Sequence, residues 1–324
     1  MHLFFLEKVA EFCVMNLSFF QVDAFTGVAG RGNPAGVYLL PEGPLPGLGG
    51  AAVAMDAAAG SAWGAAATGS ALGAVAAPDA TSAVPFSEDD YFQLLAVERR
   101  LPETGFVRPR PEGYALRWFT PKTELPLCGH GTLAAAHILW EQGHLGADEP
   151  ARFYTASGLL TVRRLEDGWI EMDFPAFTLK PASLPASVLY PLEPREVWFA
   201  GDRYLAVLGS EAEVRGFEPD AGRLREHRVV ITAAAAPANA SAAAAPGAVG
   251  PAYDFVSRYF AAPVGVDEDP VTGSAHCALA PYWAKRLGKT SFLAYQASAR
   301  GGFLKVRLDG DRVRIAGQAI TVKP

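Results

Sequence analysis

Two short segments of similar pattern carry the residue types best suited to chemistry. Residues 127–131 read LCGHG and residues 271–275 read VTGSA, and each is followed by a run of small apolar residues that predicts a buried helix. The start of a helix exposes unpaired N–H groups and a partial positive charge, and glycine there lets a ligand approach the backbone. Two such starts facing one cleft would clamp a carboxylate or an enolate, whereas the alternative is that the glycines only permit tight turns. The candidate substrate-binding positions in these segments are Gly129, Gly131, Gly273 and Ala275.

Two ionisable residues are candidates for proton transfer. Glu103 lies in a PETG sequence where a helical pattern breaks before an apolar strand, and a carboxylate in apolar surroundings suits a general acid/base. Taken alone, however, this pattern favours an ordinary surface glutamate. His130 opens the first predicted helix, where the N-terminal charge favours a neutral imidazole unless a neighbouring carboxylate opposes it. The alternative for His130 is a capping or core histidine.

The second segment offers two polar side chains at the matching turn. Asp269 could orient His130 across the cleft or bind a substrate ammonium or hydroxyl group, although Asp before Pro is also common in turns. Ser274 could cap a helix, donate a hydrogen bond to a substrate, or both. His137 and His276 lie inside apolar helical segments and are expected to be core residues. No spacing of His, Asp and Glu indicates a metal site.

The two segments belong to a longer internal repeat. RWF at 117–119 is matched by RYF at 258–260, and YTAS at 154–157 is matched by YQAS at 295–298. A repeat this long indicates a duplicated domain and not a solenoid. We therefore expect two similar domains whose equivalent turns face each other across a cleft. The copies differ where chemistry could have become asymmetric, namely Leu125 against Asp269, Cys128 against Thr272 and His130 against Ser274.

Composition indicates a soluble globular protein. The chain has 324 residues, 50% hydrophobic and 19% charged, which is enough for two domains with their own cores. A net charge of −6 gives no electrostatic reason to expect nucleic acid or an anionic membrane as a partner. Cys13, Cys128 and Cys277 are too few and too scattered for a disulfide framework or a zinc site, which favours a reducing, cytoplasmic location.

The sequence divides into an extension, two domains and two insertions. Residues 1–14 read as a non-core extension, because charges interrupt their apolar stretch. The first domain is expected over 15–150 and the second over 151–324, each built of strands around one buried helix. Residues 49–85 and 234–251 are Ala-rich, low-complexity insertions that lack the large side chains needed to offset the entropy of ordering. The last strand is expected to pack back on the first domain.

Several ordered motifs together resemble the phenazine-biosynthesis PhzF-like family. They are QVDAF at 21–25, GNPA at 32–35, PETGFV at 102–107, FTP at 119–121, CGH at 128–130 and EDPVTGSAH at 268–276. The resemblance runs from the region of Met15 to the C-terminus and is interrupted by the two insertions. It implies an α+β, diaminopimelate-epimerase-like fold with two pseudo-symmetric domains. Each domain would be a β-barrel-like sheet wrapped around a central buried α-helix, with the active site between the two.

The resemblance implies a cofactor-independent isomerase that uses no metal and acts on a small carboxylated metabolite. In the family's phenazine enzyme, the glutamate equivalent to Glu103 shuttles a proton on an amino-hydroxy cyclohexadiene carboxylate. The resemblance then gives His130, Asp269 and Ser274 as the other catalytic residues, and it adds Asn33 of the GNPA motif to the substrate-binding residues. It also implies a homodimer, and it brings no nucleic-acid or membrane partner.

Two other classes of function remain open. Proline racemases and diaminopimelate epimerases share the fold and use two facing cysteines. Cys128 matches one of these positions, but Thr272 stands at the other, and a threonine hydroxyl cannot act as a thiolate. An epimerase assisted by Cys128 is the first alternative. The second is a non-catalytic binding or scaffold protein, which an isolated Glu103, far from His130 and Asp269, would support.

Overall fold

The computed structural model of the protein describes residues 17–45, 48, 87–237 and 251–323. The predicted extension lies outside these ranges, and so does almost all of both Ala-rich insertions. The described residues form an α+β fold of eighteen β-strands and five α-helices. Within these ranges, no helix combines the length and the apolar character that a membrane crossing requires.

The elements follow one another in two series of nine strands. The first series is β1 (Ser18–Ala24), β2 (Asn33–Leu39), α1 (Glu88–Arg99), β3 (Glu103–Arg110), β4 (Gly113–Phe119), β5 (Glu124–Leu125), α2 (Gly129–Glu141), β6 (Ala151–Thr155), β7 (Gly158–Arg164), β8 (Ile170–Pro175) and β9 (Leu179–Pro181). The second series is β10 (Glu196–Ala200), β11 (Arg203–Val207), α3 (Glu211–Gly216), α4 (Ala221–Leu224), β12 (Val229–Ala234), β13 (Phe255–Ala261), β14 (Val266–Asp269), α5 (His276–Leu287), β15 (Ser291–Gln296), β16 (Gly302–Asp309), β17 (Arg312–Gly317) and β18 (Ala319–Lys323). Helices α2 and α5 occupy the same place in the two series, so the order of elements itself repeats.

Strand pairing repeats with the same period of nine strands. Strand β2 runs parallel to β3, β3 antiparallel to β4, and β4 parallel to β6. Strands β11, β12, β13 and β15 repeat these three pairings. The register repeats as well, because Trp118 faces Leu125 in the first half and Tyr259 faces Asp269 in the second. The structure therefore matches Leu125 with Asp269, as the sequence alignment of the two copies does.

The side-chain contacts around the LCGHG turn of the first half have equivalents around the VTGSA turn of the second half. Arg117 donates to both oxygens of Glu124 at 2.7 and 2.8 Å, and Arg258 donates to both oxygens of Glu268 at 2.7 and 2.9 Å. The serines of YTAS and YQAS each donate to the carbonyl oxygen of the proline that precedes the turn of their own half. The two turns are therefore held in equivalent ways.

Each series ends with a strand that pairs with the other series. Strand β9 is antiparallel to β10, and β18 is antiparallel to β1. Strands β8 and β17 pair antiparallel with each other, with Ile170 opposite Gly317 and Pro175 opposite Arg312. The two halves therefore share one continuous network of paired strands.

The repeated helices are buried because small and apolar residues occupy nearly every face. In α2, Leu133, Ile138 and the alanines at 134–136 are 0% exposed, and the helix packs against β1, β2, β3 and β8. In α5, residues 277–280 are equally buried, and the helix packs against β16 and β17. The sequence prediction of two buried helices is confirmed.

Strand pairing also bears on the division at residue 150 that the sequence suggested. Strands β6, β7 and β8 lie beyond that point, yet β6 pairs with β4, β7 with β6 and β8 with β7. Strand β8 also packs against α2. We therefore propose that the first domain extends through β8 and ends at Pro175, because hydrogen bonding joins these three strands to the first half.

Candidate active site

The two repeated turns line one cavity between the halves of the fold. Its volume is about 120 Å³. The first half contributes β3 and the start of α2, and the second contributes β13, β14 and the 3-10 turn Gly273–Ala275 before α5. The lining residues are Glu103, Leu127, Cys128, Gly129, His130, Tyr259, Ala261, Val264, Val266, Asp269, Thr272, Gly273 and Ser274.

Helix α2 begins directly behind the LCGHG turn, and Cys128 is its N-cap residue. The Sγ of Cys128 accepts a hydrogen bond from the N–H of Gly131 at 3.3 Å, which satisfies one orphan donor of the helix start. A Cβ on Gly131 would lie 2.8 Å from the indole ring of Trp118 and 3.0 Å from the Cys128 Sγ. Glycine at 131 is therefore required for close packing of the turn, and this residue does not line the cavity.

Glu103 and His130 form a buried pair in the cavity wall. Glu103 is the first residue of β3 and is 8% exposed, whereas His130 is the second residue of α2 and is 5% exposed. The Oε2 of Glu103 lies 2.9 Å from the Nε2 of His130. The interpretation of Glu103 as an ordinary surface glutamate is therefore wrong.

The pKa of His130 depends on the groups that surround its imidazole. Burial lowers the pKa of His130, but the Cys128 sulfur and the Glu103 carboxylate more than offset burial and raise that pKa well above its ordinary value. The neighbouring carboxylate that the sequence analysis left open is therefore present as Glu103, and together with Cys128 it opposes the positive end of the helix. The contact between the His130 Nε2 and the Glu103 Oε2 is an ion pair when the imidazole is protonated.

Asn33 joins the two halves behind this pair. Its Nδ2 donates to the Oδ1 of Asp269 at 2.7 Å and to the carbonyl oxygen of Val271 at 2.9 Å, and it lies 3.2 Å from the Nδ1 of His130. The other oxygen of Asp269 accepts from the Thr272 hydroxyl at 2.5 Å. Asn33 is 0% exposed and is not part of the cavity lining, so the structure places it behind the predicted substrate-binding surface.

Asp269 faces the cavity from the second half. Burial raises the pKa of Asp269 to about 6, and it is opposed by the charge of His130 and reinforced by the charge of Glu103. Hydrogen bonds from Thr272 and Asn33 also act to lower the pKa. Asp269 therefore titrates in the pH range that acid/base chemistry uses. Its link to His130 is indirect and runs through Asn33.

Of the two positions at which the racemases of this fold have facing cysteines, this chain has a cysteine at one and a threonine at the other. Cys128 lines the cavity with its Sγ 3.6 Å from the Nδ1 of His130, and burial raises the pKa of its thiol. Thr272 holds the matching position in the second half. Cys277 lies inside α5, is 0% exposed, and has a pKa that burial raises to about 12. Cys277 therefore cannot supply the second thiolate of a two-cysteine racemase.

Glu103, Cys128 and His130 also form a compact group of possible metal ligands. One donor atom from each lies within 4.8 Å of the other two. The sequence spacing did not indicate this group, because Glu103 comes from a separate strand. Within this group Glu103 and His130 contact each other at 2.9 Å, and the Oε2 of Glu103 is buried without a hydrogen-bond partner among the described residues.

The remaining predicted positions divide between the cavity surface and its support. Gly129, Gly273 and Ser274 line the cavity, whereas Ala275 is fully buried behind it. Sequence reasoning missed Tyr259, which lines the cavity, although the RYF repeat was a signal for it. The apolar wall around Val264 had no recognisable motif.

A duplicated α+β fold with a buried carboxylate and imidazole in contact at its central cavity defines the class of proteins with a diaminopimelate-epimerase-like fold. The chain belongs to the PhzC–PhzF family, whose model is described as phenazine biosynthesis-like protein and matches residues 65–324. A relative from Halalkalibacterium halodurans, named as an uncharacterised isomerase, is 44% identical over 316 residues, which cover 95% of this chain and 97% of the relative. The names of such relatives indicate an isomerase.

Solved structures agree with this assignment. A PhzF family protein from Enterococcus faecalis is 32% identical with a TM-score of 0.73, and the match covers 95% of this chain and 97% of that one. A probable proline racemase from Agrobacterium radiobacter, 14% identical with a TM-score of 0.54 over 95% of this chain and 92% of that one, shares the fold alone. The predicted α+β, diaminopimelate-epimerase-like fold is confirmed.

Proposed function

We propose that the protein is a cofactor-independent isomerase that moves a proton between two carbons of a small carboxylated metabolite, with Glu103 as acid and base. The observation that carries this proposal is the 2.9 Å contact between Glu103 and His130 in the wall of the cavity. A substrate in the cavity would meet a carboxylate that lies against the imidazole of His130. Positioned acid/base groups of this kind contribute about 100- to 10,000-fold to a rate.

In the proposed reaction, the Glu103 carboxylate removes a proton from a carbon next to an electron-withdrawing group. The electron pair of the broken C–H bond delocalises into that group as an enolate or dienolate. The Glu103 carboxylic acid then returns the proton to a different carbon, where the electron pair forms the new C–H bond. Atoms and electrons of the substrate are conserved, so the step requires no redox partner. His130 would stabilise the carboxylate form of Glu103 between turnovers.

The negative charge that develops on the substrate needs stabilisation at the other side of the cavity. Gly129 and Gly273 line the cavity at the starts of the two repeated helical segments, where N–H groups and the positive end of the helix are found. Ser274 adds a hydroxyl group to this surface. These groups support binding of a carboxylate or an enolate oxygen.

A second candidate is an epimerase assisted by Cys128. Its support is that Cys128 lines the cavity and lies 3.6 Å from the Nδ1 of His130. Against it stand the raised pKa of the thiol and the threonine at the matching position, which leave no second thiolate. A non-catalytic scaffold would be favoured by an isolated Glu103, and Glu103 is not isolated from His130.

The test is proton exchange followed by NMR in D₂O. Wild-type protein would be incubated with dihydro-hydroxyanthranilate and a panel of small amino and hydroxy acids, alongside Glu103→Gln and the matched control Glu98→Gln on the exposed face of α1. We expect deuterium in a substrate with wild type and with the control, and a rate at least about 100-fold lower with Glu103→Gln. Full exchange in Glu103→Gln would overturn the role of Glu103 and move the proton chemistry to Cys128 or His130.

A further inference from the structure

A buried arginine lies directly behind the cavity wall of the second half. Arg203 is the first residue of β11 and is 6% exposed. Its Nε donates to the Oδ1 of Asp202 at 2.7 Å, and its Cζ lies 4.9 Å from the ring centre of Tyr259, which lines the cavity. An ion pair and a cation–π contact therefore fix the guanidinium in place without exposing it to the cavity.

Arg203 determines the direction of the Ser274 hydroxyl group. The Nη1 of Arg203 lies 3.1 Å from the Oγ of Ser274. A guanidinium has donors only, so the Ser274 oxygen must be the acceptor in this bond. The one hydrogen of the hydroxyl is thereby left free of Arg203, and Ser274 lines the cavity. Ser274 is therefore a polarised hydrogen-bond donor for a ligand.

The same arginine leaves positive charge at this end of the cavity. Asp202 is shared, because its Oδ1 binds Arg203 and its Oδ2 binds Arg228. One carboxylate against two guanidinium groups leaves one positive charge uncompensated within this cluster. The side chains of Asp202 and Arg228 are 45% and 30% exposed, so water screens them more than Arg203, whose side chain is 7% exposed.

Among the described residues of the first half, the positions equivalent to this cluster hold other residue types. Thr104 faces Phe119, the last residue of RWF, and Val229 faces Phe260, the last residue of RYF. Glu103 and Arg228 precede these two residues and are therefore equivalent. In the neighbouring parallel strand, Ala35 and Arg203 are equivalent by the same register. The duplicated site has thus become a carboxylate at one end and a pair of guanidinium groups at the other.

We propose that Arg203 is a positioning residue that makes the cavity select ligands carrying a carboxylate, and that it acts through Ser274. The inference rests on the proposed function for the use of the cavity as a substrate site. Arg203 holds the Ser274 hydrogen toward the ligand, and its charge attracts an anion from behind the wall. A neutral ligand of the same shape gains from neither effect.

Two matched probes test the proposal by calorimetric titration. Anthranilate carries a ring carboxylate, and anthranilamide has nearly the same shape without the charge. For Arg203→Met we expect the affinity for anthranilate to fall by about 10- to 100-fold, which corresponds to loss of a charge-assisted interaction, with the affinity for anthranilamide changed less than about 2-fold. Arg203→Lys should recover part of the preference, because it keeps the charge. The control is Arg228→Met, which removes the more exposed and better screened guanidinium and leaves the bond from Arg203 to Ser274 in place, so it should keep most of the preference for anthranilate.

A double-mutant cycle separates positioning from general support of the fold. Ser274→Ala should lower the affinity for anthranilate. Arg203→Met should then lower that affinity by a smaller factor in the Ser274→Ala background than in the wild-type background. If Arg203→Met does not fold, Ser274→Ala and Arg203→Lys still carry the comparison between the two probes. Circular dichroism of each variant establishes that it is folded.

Three outcomes overturn the inference. In the first, Arg203→Met lowers the affinity for both probes equally; in the second, Arg228→Met lowers the affinity for anthranilate as much as Arg203→Met does. In the third, the wild-type protein shows no preference for anthranilate, which includes binding neither probe. Failure of the proposed function is distinct from these. Arg203-dependent binding of anthranilate by a protein that exchanges no proton on any substrate would leave the inference standing and remove the isomerase.

Discussion

Replacing Asn33 by alanine should destabilise the fold and the acid–base site together. The Nδ2 of Asn33 donates to the Oδ1 of Asp269 at 2.7 Å and to the carbonyl oxygen of Val271 at 2.9 Å. Both acceptors belong to the second half of the fold, whereas Asn33 belongs to the first. The substitution therefore removes the bonds that hold the two functional turns at a fixed separation.

The expected loss in the free energy of unfolding is about 3 kcal/mol. A buried carbonyl left without a donor costs about 1–3 kcal/mol, and a hydrogen bond to a charged group such as Asp269 contributes about 1.5–3 kcal/mol. Asn33 is 0% exposed, so the carbonyl of Val271 would stay dry. Water can reach Asp269 from the cavity, which keeps the total near the lower part of this range.

The assay is urea denaturation followed by tryptophan fluorescence at pH 8, where Asp269 is ionised. The control is Ser257→Ala, because Ser257 is 1% exposed and its Oγ is buried without a hydrogen-bond partner. Removing a hydroxyl that makes no bond should change the stability by less than about 1 kcal/mol. A loss in Asn33→Ala no larger than that of the control would refute the account of Asn33.

The titration of Asp269, followed by carbon-13 NMR of its carboxyl group, gives an independent reading of the same variant. The hydrogen bond from Asn33 lowers the pKa of Asp269, so its removal should raise that pKa above about 6. An Asp269 pKa that is the same in Asn33→Ala and in wild type would break the proposed link between Asn33 and Asp269.

Three further perturbations have defined outcomes. Burial raises the folded-state pKa of Asp269 to about 6, so the contribution of its protonated carboxyl group to stability is present below about pH 4 and lost as the pH rises through about 6. The free energy of unfolding of Asp269→Asn, measured by urea denaturation, should therefore rise relative to that of wild type between pH 4 and pH 8. A difference between the two proteins that does not change with pH would contradict this. Gly131→Ala drives a Cβ to 2.8 Å from Trp118 and should cost about 1–3 kcal/mol, whereas Gly129→Ala meets nothing closer than 3.9 Å and should cost less in thermal melting. Cys128→Ala should retain proton exchange by NMR, and its loss would favour the cysteine-assisted epimerase.

The repeat made most of the fold predictable. RWF and RYF fall at the ends of the central strands β4 and β13, and the all-round apolar runs became α2 and α5. A local sequence signal is present as well, because Ser87 and Asp90, three residues apart, form a capping box at the start of α1 with both reciprocal bonds present. Patterns of this kind are encoded within one or two neighbouring elements, where sequence spacing and spatial distance correspond.

The site was less predictable because it depends on distances between remote segments. Glu103 alone reads as a surface residue, and only its contact with His130 gives it a buried partner. The protonation of His130 stayed open for the same reason, since the helix start is visible in the sequence and the neighbouring carboxylate is not. Arg203 belongs to no motif, and its relation to Ser274 appears only when β11 and the VTGSA turn are brought together.

The exchange of the ninth strands implies a history for this chain. A single ancestral half, with β9 completing the sheet of a second copy, would have been a strand-exchanged homodimer. Its two-fold axis would have passed through the antiparallel pair that is now β8 and β17. Fusion of two such subunits would have placed a cavity at the former dimer interface and released the copies from symmetry. Glu103 and Arg228, which hold equivalent positions by strand register, would be one result of that release.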